Sequence, residues 1–225
     1  MSLTEEKVSF HSGPLTLEGN LTYPEDRTPK AGAAVLSPHP HFAGNLDNNV
    51  VRAVAAGLGA AGMAVLRFNY RGVDGSGLEP GLSAYDYWER VEREKLYEPI
   101  VEDAEAAFGF LHRNLGGGGA LHAVGYSFGA VVAGLAAVRS NVHLESAVLI
   151  APPLRRYSFA FLAGSAVPYG LVLADEDFLY GDDEVAAQAA AAPPRRVDSL
   201  AADHFFRGSE DEVARRVLAF LENPS

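Results

Sequence analysis

The chain has 225 residues, of which 48% are hydrophobic and 21% charged, a composition that supports one large core in a globular protein. Its formal net charge is −11 at pH 7, which argues against nucleic acid and anionic membrane surfaces as partners and favours neutral or cationic ligands. It contains no cysteine, so disulfides, thiolate metal ligands and a cysteine nucleophile are excluded.

The sequence shows no sign of a targeting segment or of a membrane-spanning helix. The stretch MSLTEEKVSF carries acidic residues where a signal peptide has positive charge followed by an apolar run. No segment approaches the roughly 18 consecutive apolar residues of a membrane-spanning helix. We therefore expect a cytoplasmic protein with no membrane partner.

The first predicted element is an antiparallel hairpin, because two short alternating segments flank the Ser-Gly-Pro turn at 12–14. A buried strand follows in AGAAVLSPHP, then a helix in DNNVVRAVAAGLGAAG capped by Asp47 or Asn48, then a strand in MAVLRFNY. Helical periodicity extends over about 85–114 and is broken near Pro99.

The second half of the chain continues the alternation of strand and helix. Strands are predicted in ALHAVGY, LESAVLIAPP, YGLVLADED and RRVDSL, and helices over 127–139, in DEVAAQAAAA and in SEDEVARRVLAFLE. Continuous apolar strands alternating with helices predict a mostly parallel central sheet with helices on both faces. No linker or repeat interrupts this pattern, so we predict one α/β domain over residues 1–225 that begins with the antiparallel hairpin.

Two glycine-rich stretches are predicted to be structural rather than nucleotide-binding. Gly57, Gly59 and Gly62 satisfy the spacing G-x-G-x-x-G, but they end a helix and precede a strand. A dinucleotide site needs the reverse order, because the helix N-terminus must face the pyrophosphate. The GGGG run at 116–119 lacks the Lys-Ser/Thr of a phosphate loop and is predicted to be a turn.

The stretch GYSFG places Ser127 between Gly125 and Gly129, where a strand ends and a small-residue helix begins. This is the setting of a nucleophile elbow, a sharp turn that lifts a serine hydroxyl above the edge of a sheet. The backbone N–H of Phe128 then points at the charge that develops on the attacked carbonyl oxygen. The alternative is that Ser127 only caps the helix.

A serine nucleophile needs a base and an acid, which in folds with this turn follow it in the order acid, then histidine. Only His143 and His204 follow Ser127, and His143 comes before any strand end that bears an acid. His204 follows a short strand and is therefore the predicted base. Asp177, in the turn after YGLVLA, is the predicted acid that orients it, with Asp175 as the alternative.

The loop SPHPHFAGN follows the first buried strand and is predicted to supply a second oxyanion donor. Its two prolines have no N–H, so the useful donors are the backbone groups of His39, His41 or Phe42. The spacing of the two histidines also invites a zinc hypothesis. No third ligand is evident, so we predict neither a metal nor a cofactor.

Together these segments resemble the α/β-hydrolases, and more narrowly the small bacterial hydrolases related to dienelactone hydrolases. The matching stretches are SPHPHFAGNLDNNVV, RFNYRGVDGSG, GYSFGA, ADED and ADHFFRG, which extend from about residue 35 to the end. The resemblance implies an α/β-hydrolase fold, the triad Ser127, Asp177 and His204, and an oxyanion hole formed with the SPHPH loop. Ser37 and Ala174 depart from the family pattern, and dienelactone hydrolases carry cysteine at the elbow, so their substrate does not transfer.

The predicted function is a serine hydrolase that cleaves a small neutral carboxylic ester with an apolar acyl group. Thioesters and amides would use the same groups, and a non-catalytic ligand-binding or scaffold protein is the alternative from another class. The segment 78–99 is longer than in the similar hydrolases and is rich in aromatic residues. It is predicted either to form a small flap over the acyl pocket or to pack a surface helix onto the core.

Overall fold

An eight-stranded β-sheet runs through residues 2–224, the part of the chain that the computed structural model describes. In chain order the strands are β1 (Leu3–Ser12), β2 (Leu15–Pro24), β3 (Ala31–Leu36), β4 (Ala64–Phe68), β5 (Ala120–Tyr126), β6 (Ser146–Ile150), β7 (Tyr169–Glu176) and β8 (Arg196–Asp203). Their order across the sheet is β1-β2-β4-β3-β5-β6-β7-β8. The pairs β1–β2 and β2–β4 are antiparallel, and every other pair is parallel. The predicted α/β fold with an N-terminal hairpin is confirmed.

The first five helices occupy connections between parallel strands, and the last one follows β8. The helices are α1 (Asn49–Ala60), α2 (Ala84–Glu94), α3 (Glu98–Asn114), α4 (Phe128–Arg139), α5 (Asp182–Ala191) and α6 (Glu210–Leu221). Of the two predicted caps of α1, Asn48 is the one used, since its Oδ1 accepts from the N–H groups of Val50 and Val51. The predicted break near Pro99 lies between α2 and α3, with Pro99 in the first turn of α3. None of the helices within residues 2–224 has the length and apolarity to span a membrane.

The chain reverses direction across the sheet at β3 and β5, and this reversal creates the cleft of the molecule. From β3 the chain crosses through α1 to β4, towards the hairpin, whereas from β5 it crosses through α4 to β6, away from it. Right-handed crossovers in opposite directions place α1 and α4 on opposite faces of the sheet. The carboxyl ends of β3 and β5 therefore meet at a topological switch point, where open α/β sheets bind their ligands.

The glycine spacing in α1 has a packing explanation. A Cβ added at Gly57 would lie 2.9 Å from the Cβ of Ala214 in α6, closer than side-chain carbons approach. The two helices thus contact each other where both residues are small. The structure gives Gly57 a role in packing α1 on α6, whereas a Cβ at Gly59 would lie 3.0 Å from Cγ2 of Thr22 in β2.

Candidate active site

Ser127 occupies a strained turn at the switch point, between the end of β5 and the start of α4. Its φ is 55° and its ψ is −117°, a region that residues other than glycine rarely occupy. The turn is held by two backbone hydrogen bonds, from the Ser127 N–H to the carbonyl of Ile150 at 2.8 Å and from the Ala130 N–H to the carbonyl of Ser127 at 2.9 Å. The Ser127 side chain makes no capping hydrogen bond to α4, so its hydroxyl is not used as a helix cap.

The two glycines of GYSFG are required by close contacts between backbones. A Cβ at Gly125 would lie 2.0 Å from the carbonyl oxygen of Gly129, and one at Gly129 would lie 2.1 Å from the carbonyl oxygen of Leu36. Ordinary contacts of this kind are beyond about 3.4 Å. Only glycine lets β5 turn back so tightly into α4 beside the end of β3.

His204 lies directly after β8 and is buried, with 5% of its surface exposed. Its Nε2 lies 3.1 Å from Ser127 Oγ, and its Nδ1 lies 2.6 Å from Asp177 Oδ2. The hydroxyl of Tyr126 donates a hydrogen bond of 2.8 Å to the backbone carbonyl of His204. The residue preceding the serine therefore helps to hold the histidine in place over it.

Asp177 follows the last residue of β7, and its side chain is fully buried. Its Oδ1 accepts from the backbone N–H of Leu179 at 2.8 Å, which leaves Oδ2 directed at His204. Asp175 is exposed and makes no contact with the histidine. His143 is also far from this arrangement, with 90% of its side chain exposed. Of the predicted and alternative residues, the structure brings together Ser127, His204 and Asp177.

Some of the predicted oxyanion donors already donate their backbone N–H to another protein group, and others do not. The His41 N–H donates to His39 Nδ1 at 3.1 Å, and the Phe42 N–H donates to the His39 carbonyl at 3.0 Å. The N–H groups of His39 and Phe128 have no partner within residues 2–224. Since the N–H of His41 is already engaged, the groups available to a ligand oxygen are those of His39 and Phe128.

A cavity of about 310 Å³ opens beside Ser127 and His204. Its aromatic lining is formed by Phe42, Tyr126, Phe128, Tyr157, Phe178 and Phe205. Three of these rings, those of Phe42, Phe178 and Phe205, are 74%, 58% and 43% exposed. Exposed apolar side chains that cluster in one patch mark binding sites, unlike those scattered singly, and these three line the same cavity.

One wall of the cavity contains a charged residue that the sequence did not single out. Glu92 of α2 lies with its Oε1 3.3 Å from Nε2 of His39, and this oxygen accepts a hydrogen bond of 2.5 Å from the hydroxyl of Tyr157. Burial acts to raise the pKa of Glu92, but the contacts with His39 and Tyr157 outweigh it and lower the pKa to about 2. The carboxylate is therefore charged at any neutral pH. The carboxylate in turn joins burial in raising the pKa of Tyr157 well above its ordinary value.

The segment 78–99, predicted to be either a flap or a packed helix, contains α2, whose aromatic side chains divide between core and surface. Tyr87 and Trp88 are buried, and the Trp88 Nε1 donates to the carbonyl of Arg71 at 3.2 Å. Tyr85 is 66% exposed and stacks on His41 with a centroid distance of 4.9 Å. Trp88 is therefore packed in the core, and the flap over the acyl pocket stays a prediction.

The two histidines of the SPHPH loop have protein groups beside their Nδ1 atoms. Within residues 2–224 no group of three or more His, Cys, Asp or Glu side chains is arranged to hold a metal ion. The Nδ1 of His39 is occupied by the N–H of His41, and the Nδ1 of His41 faces Glu89 at 3.5 Å. The histidine pair is thus part of the cavity wall.

Comparison with known proteins agrees with this architecture. The chain belongs to the Alpha/beta hydrolase family, whose profile matches residues 35–223. An uncharacterised protein of Rickettsia prowazekii is 28% identical over 228 residues, covering 96% of this chain and 88% of that protein. The narrower resemblance to dienelactone hydrolases stays a prediction.

Solved structures with the same fold include proteins described as serine hydrolases and esterases. An alpha-beta serine hydrolase homologue from Coxiella burnetii has a TM-score of 0.79 and 25% identity, with 96% of this chain and 97% of that chain covered. An esterase of Pyrococcus furiosus has a TM-score of 0.76 at 16% identity, with 98% and 92% covered. The family match and the Coxiella homologue support an enzyme of the hydrolase type, and the Pyrococcus esterase shows the shared fold.

Proposed function

We propose that the protein is a serine hydrolase that cleaves a small carboxylic ester through a Ser127–His204–Asp177 triad. The observation that carries the proposal is the continuous chain of contacts from Asp177 Oδ2 to His204 Nδ1 at 2.6 Å and from His204 Nε2 to Ser127 Oγ at 3.1 Å. Nucleophile, base and orienting acid each lie within reach of the next, which is the arrangement that activates a serine hydroxyl.

The first half of the proposed reaction acylates the enzyme. Ser127 Oγ attacks the carbonyl carbon of the ester while its proton passes to Nε2 of His204. The tetrahedral intermediate carries its negative charge on the former carbonyl oxygen, which accepts from the N–H groups of Phe128 and His39. The C–O bond to the alcohol then breaks, and His204 gives its proton to the departing oxygen.

The second half restores the enzyme with water. His204 accepts a proton from a water molecule, whose oxygen attacks the acyl carbon and forms a second tetrahedral intermediate. The bond to Ser127 Oγ breaks, the serine recovers its proton from His204, and the carboxylic acid leaves. Asp177 stays ionised throughout, holding Nδ1–H and stabilising the imidazolium. No metal or cofactor takes part in the proposed steps.

The lining of the cavity supports a neutral ester with an apolar acyl group. The volume of about 310 Å³ is at the lower end of the range for small-molecule sites, and the walls are mainly aromatic. The net charge of −11 disfavours anionic substrates. A thioester or an amide would use the same groups, so the bond that is cleaved is a question for the assay.

The test is hydrolysis of p-nitrophenyl esters from acetate to octanoate by the wild type and by Ser127→Ala. We expect turnover in the wild type with an optimum at a short or medium acyl chain, and none above background in the variant. Equal turnover in both proteins would refute Ser127 as the nucleophile. Absence of turnover in the wild type with esters, thioesters and anilides alike would favour a non-catalytic ligand-binding or scaffold role.

A further inference from the structure

We propose that Glu92 is a positioning residue for the oxyanion loop, because its carboxylate holds the imidazole of His39 and thereby the backbone N–H that meets the tetrahedral intermediate. This inference rests on the proposed serine hydrolase function. It concerns a residue outside the triad, on a helix whose charged side chains otherwise face solvent.

The oxyanion loop, residues 37–44, is anchored by the buried side chain of His39 and by a hydrogen bond of 3.3 Å from the Tyr70 hydroxyl to the Ser37 carbonyl. Its internal bonds are those of a tight turn, with the N–H groups of Phe42 and Gly44 both donating to the His39 carbonyl at 3.0 and 3.2 Å. The His39 ring is 5% exposed and packs edge-on against Phe128 and Trp88, with centroids 5.0 and 5.2 Å away. Because the ring is fixed by these contacts, the position of the His39 backbone N–H is fixed as well.

The hydrogen bonds around His39 determine which of its nitrogens carries the proton. Nδ1 accepts from the N–H of His41 at 3.1 Å, so this nitrogen has no proton of its own. A ring proton is therefore on Nε2, which is buried and lies 3.3 Å from Oε1 of Glu92 in a charge contact without the geometry of a hydrogen bond. Nδ1 is engaged within the loop, and Nε2 makes no hydrogen bond of good geometry but has the Glu92 carboxylate as a close charged neighbour. His39 is therefore suited to holding the loop through this charge contact rather than to transferring protons.

Glu92 is itself tied to both walls of the cavity. Besides His39, its Oε1 accepts from the hydroxyl of Tyr157 at 2.5 Å, and its Oε2 accepts from Nζ of Lys95 at 3.2 Å. Tyr157 comes from the segment after β6 and lines the cavity together with His39 and Glu92. The carboxylate thus joins α2, the oxyanion loop and the opposite wall into one network.

Loss of this network is expected to affect the transition state more than the bound substrate. Removing the carboxylate takes away the negative charge beside the buried Nε2 of His39 and leaves the hydroxyl of Tyr157 without an acceptor, so both side chains are expected to reorient. A displacement of the His39 N–H of well under 1 Å weakens its bond to the oxyanion, which exists only in the tetrahedral species. The kcat should therefore fall while KM changes little.

The experiment compares Glu92→Ala, Glu92→Gln and the control Glu94→Ala, an exposed residue of the same helix that pairs with Arg93. Complete loss of an oxyanion donor costs roughly 100- to 1,000-fold in kcat, so a displaced donor should cost about 30-fold in Glu92→Ala. The inhibition constant of phenylboronic acid, which forms a tetrahedral adduct with the serine, should rise by a similar factor. Glu92→Gln keeps an acceptor oxygen and should lose less than about fivefold, and Glu94→Ala should match the wild type.

A double-mutant cycle with His39→Ala tests whether Glu92 acts through His39. His39→Ala keeps the backbone N–H but lacks the ring, so adding Glu92→Ala should cause little further loss of kcat. Additive losses, or a kcat of Glu92→Ala within about threefold of wild type, would overturn the proposal and leave the triad standing. A wild type without turnover in the Ser127→Ala comparison would overturn both the triad and the role of Glu92. Circular dichroism melts of each variant separate these outcomes from unfolding.

Discussion

Replacing Asp177 with asparagine should nearly abolish activity while leaving the shape of the site unchanged. Oδ1 of Asp177 already accepts from the Leu179 N–H at 2.8 Å, so the carbonyl oxygen of an asparagine should keep that position. Its NH₂ group then faces Nδ1 of His204, 2.6 Å from the replaced Oδ2, in a fully buried setting. A donor at this point favours the tautomer with its proton on Nε2, which cannot accept the proton of Ser127.

The expected loss is about 10,000-fold in kcat/KM, as in other serine hydrolases that carry this tautomer defect. This factor corresponds to about 5 kcal/mol of transition-state stabilisation. The assay is steady-state hydrolysis of the best p-nitrophenyl ester, with melting temperatures to verify folding. Asp175→Asn is the matched control, because Asp175 lies two residues away at the same strand end and is exposed. A folded Asp177→Asn variant that kept more than a tenth of wild-type kcat/KM would refute the assignment of the acid.

Three further predictions concern the stability of the elements that hold the site. Gly129→Ala places a Cβ 2.1 Å from the Leu36 carbonyl oxygen and should cost about 3 kcal/mol in urea unfolding. Tyr126→Phe removes the donor to the His204 carbonyl and should cost about 1–3 kcal/mol. Burial lowers the pKa of His122 to about 4, so the unfolded state binds an extra proton below about pH 6.5 and stability should fall by about 3 kcal/mol between pH 6.5 and 4.

Each of these three has a result that would count against it. A Gly129→Ala variant as stable as wild type would mean that the elbow can relax without cost. Unchanged stability and kcat in Tyr126→Phe would remove the hydroxyl from the support of His204. For the third, a His122→Asn variant that showed the same loss of stability on acidification as wild type would assign the titration to another group.

The elbow could be predicted from the sequence because its determinants are local. The order of apolar strand, Gly125, Ser127, Gly129 and small-residue helix fits within one short stretch, and the close backbone contacts that require the glycines follow from that turn. The same holds for the alternation of strands and helices, which gave the sheet its topology through right-handed crossovers. A local sequence pattern is sufficient to predict a structural feature whose contacts are between residues close in sequence.

The alternation along β7 does not distinguish Asp175 from Asp177, because in a regular strand two residues separated by one other point to the same face. The prediction of Asp177 rests instead on its place in the turn after the strand. The pairing of β7 with β8 shifts register between Ala174 and Glu176, and this irregularity breaks the alternation at the strand end. The shift depends on how β8 pairs with β7, and the sequence of β7 alone carries no information about that pairing.

Glu92 and the division of roles between His39 and His41 depend on contacts between distant segments. The charges of α2 are those of a surface helix, and nothing in their spacing indicates that Glu92 faces a histidine after β3 and a tyrosine after β6. Whether His39 or His41 offers a free N–H depends on a tight turn in which the ring of one accepts from the backbone of the other. The only local signal was that Glu92 lies three residues after Glu89, on the face of α2 that carries Trp88.

The most direct test of the account is covalent labelling of the wild-type protein with a fluorophosphonate, followed by intact mass measurement and peptide mapping. An activated serine reacts with such a probe and an ordinary one does not. We predict a single adduct on Ser127, absent in Ser127→Ala and formed at least about 1,000-fold more slowly in His204→Ala. No adduct, or an adduct on another serine that persists in Ser127→Ala, would contradict the assignment of Ser127 as the nucleophile.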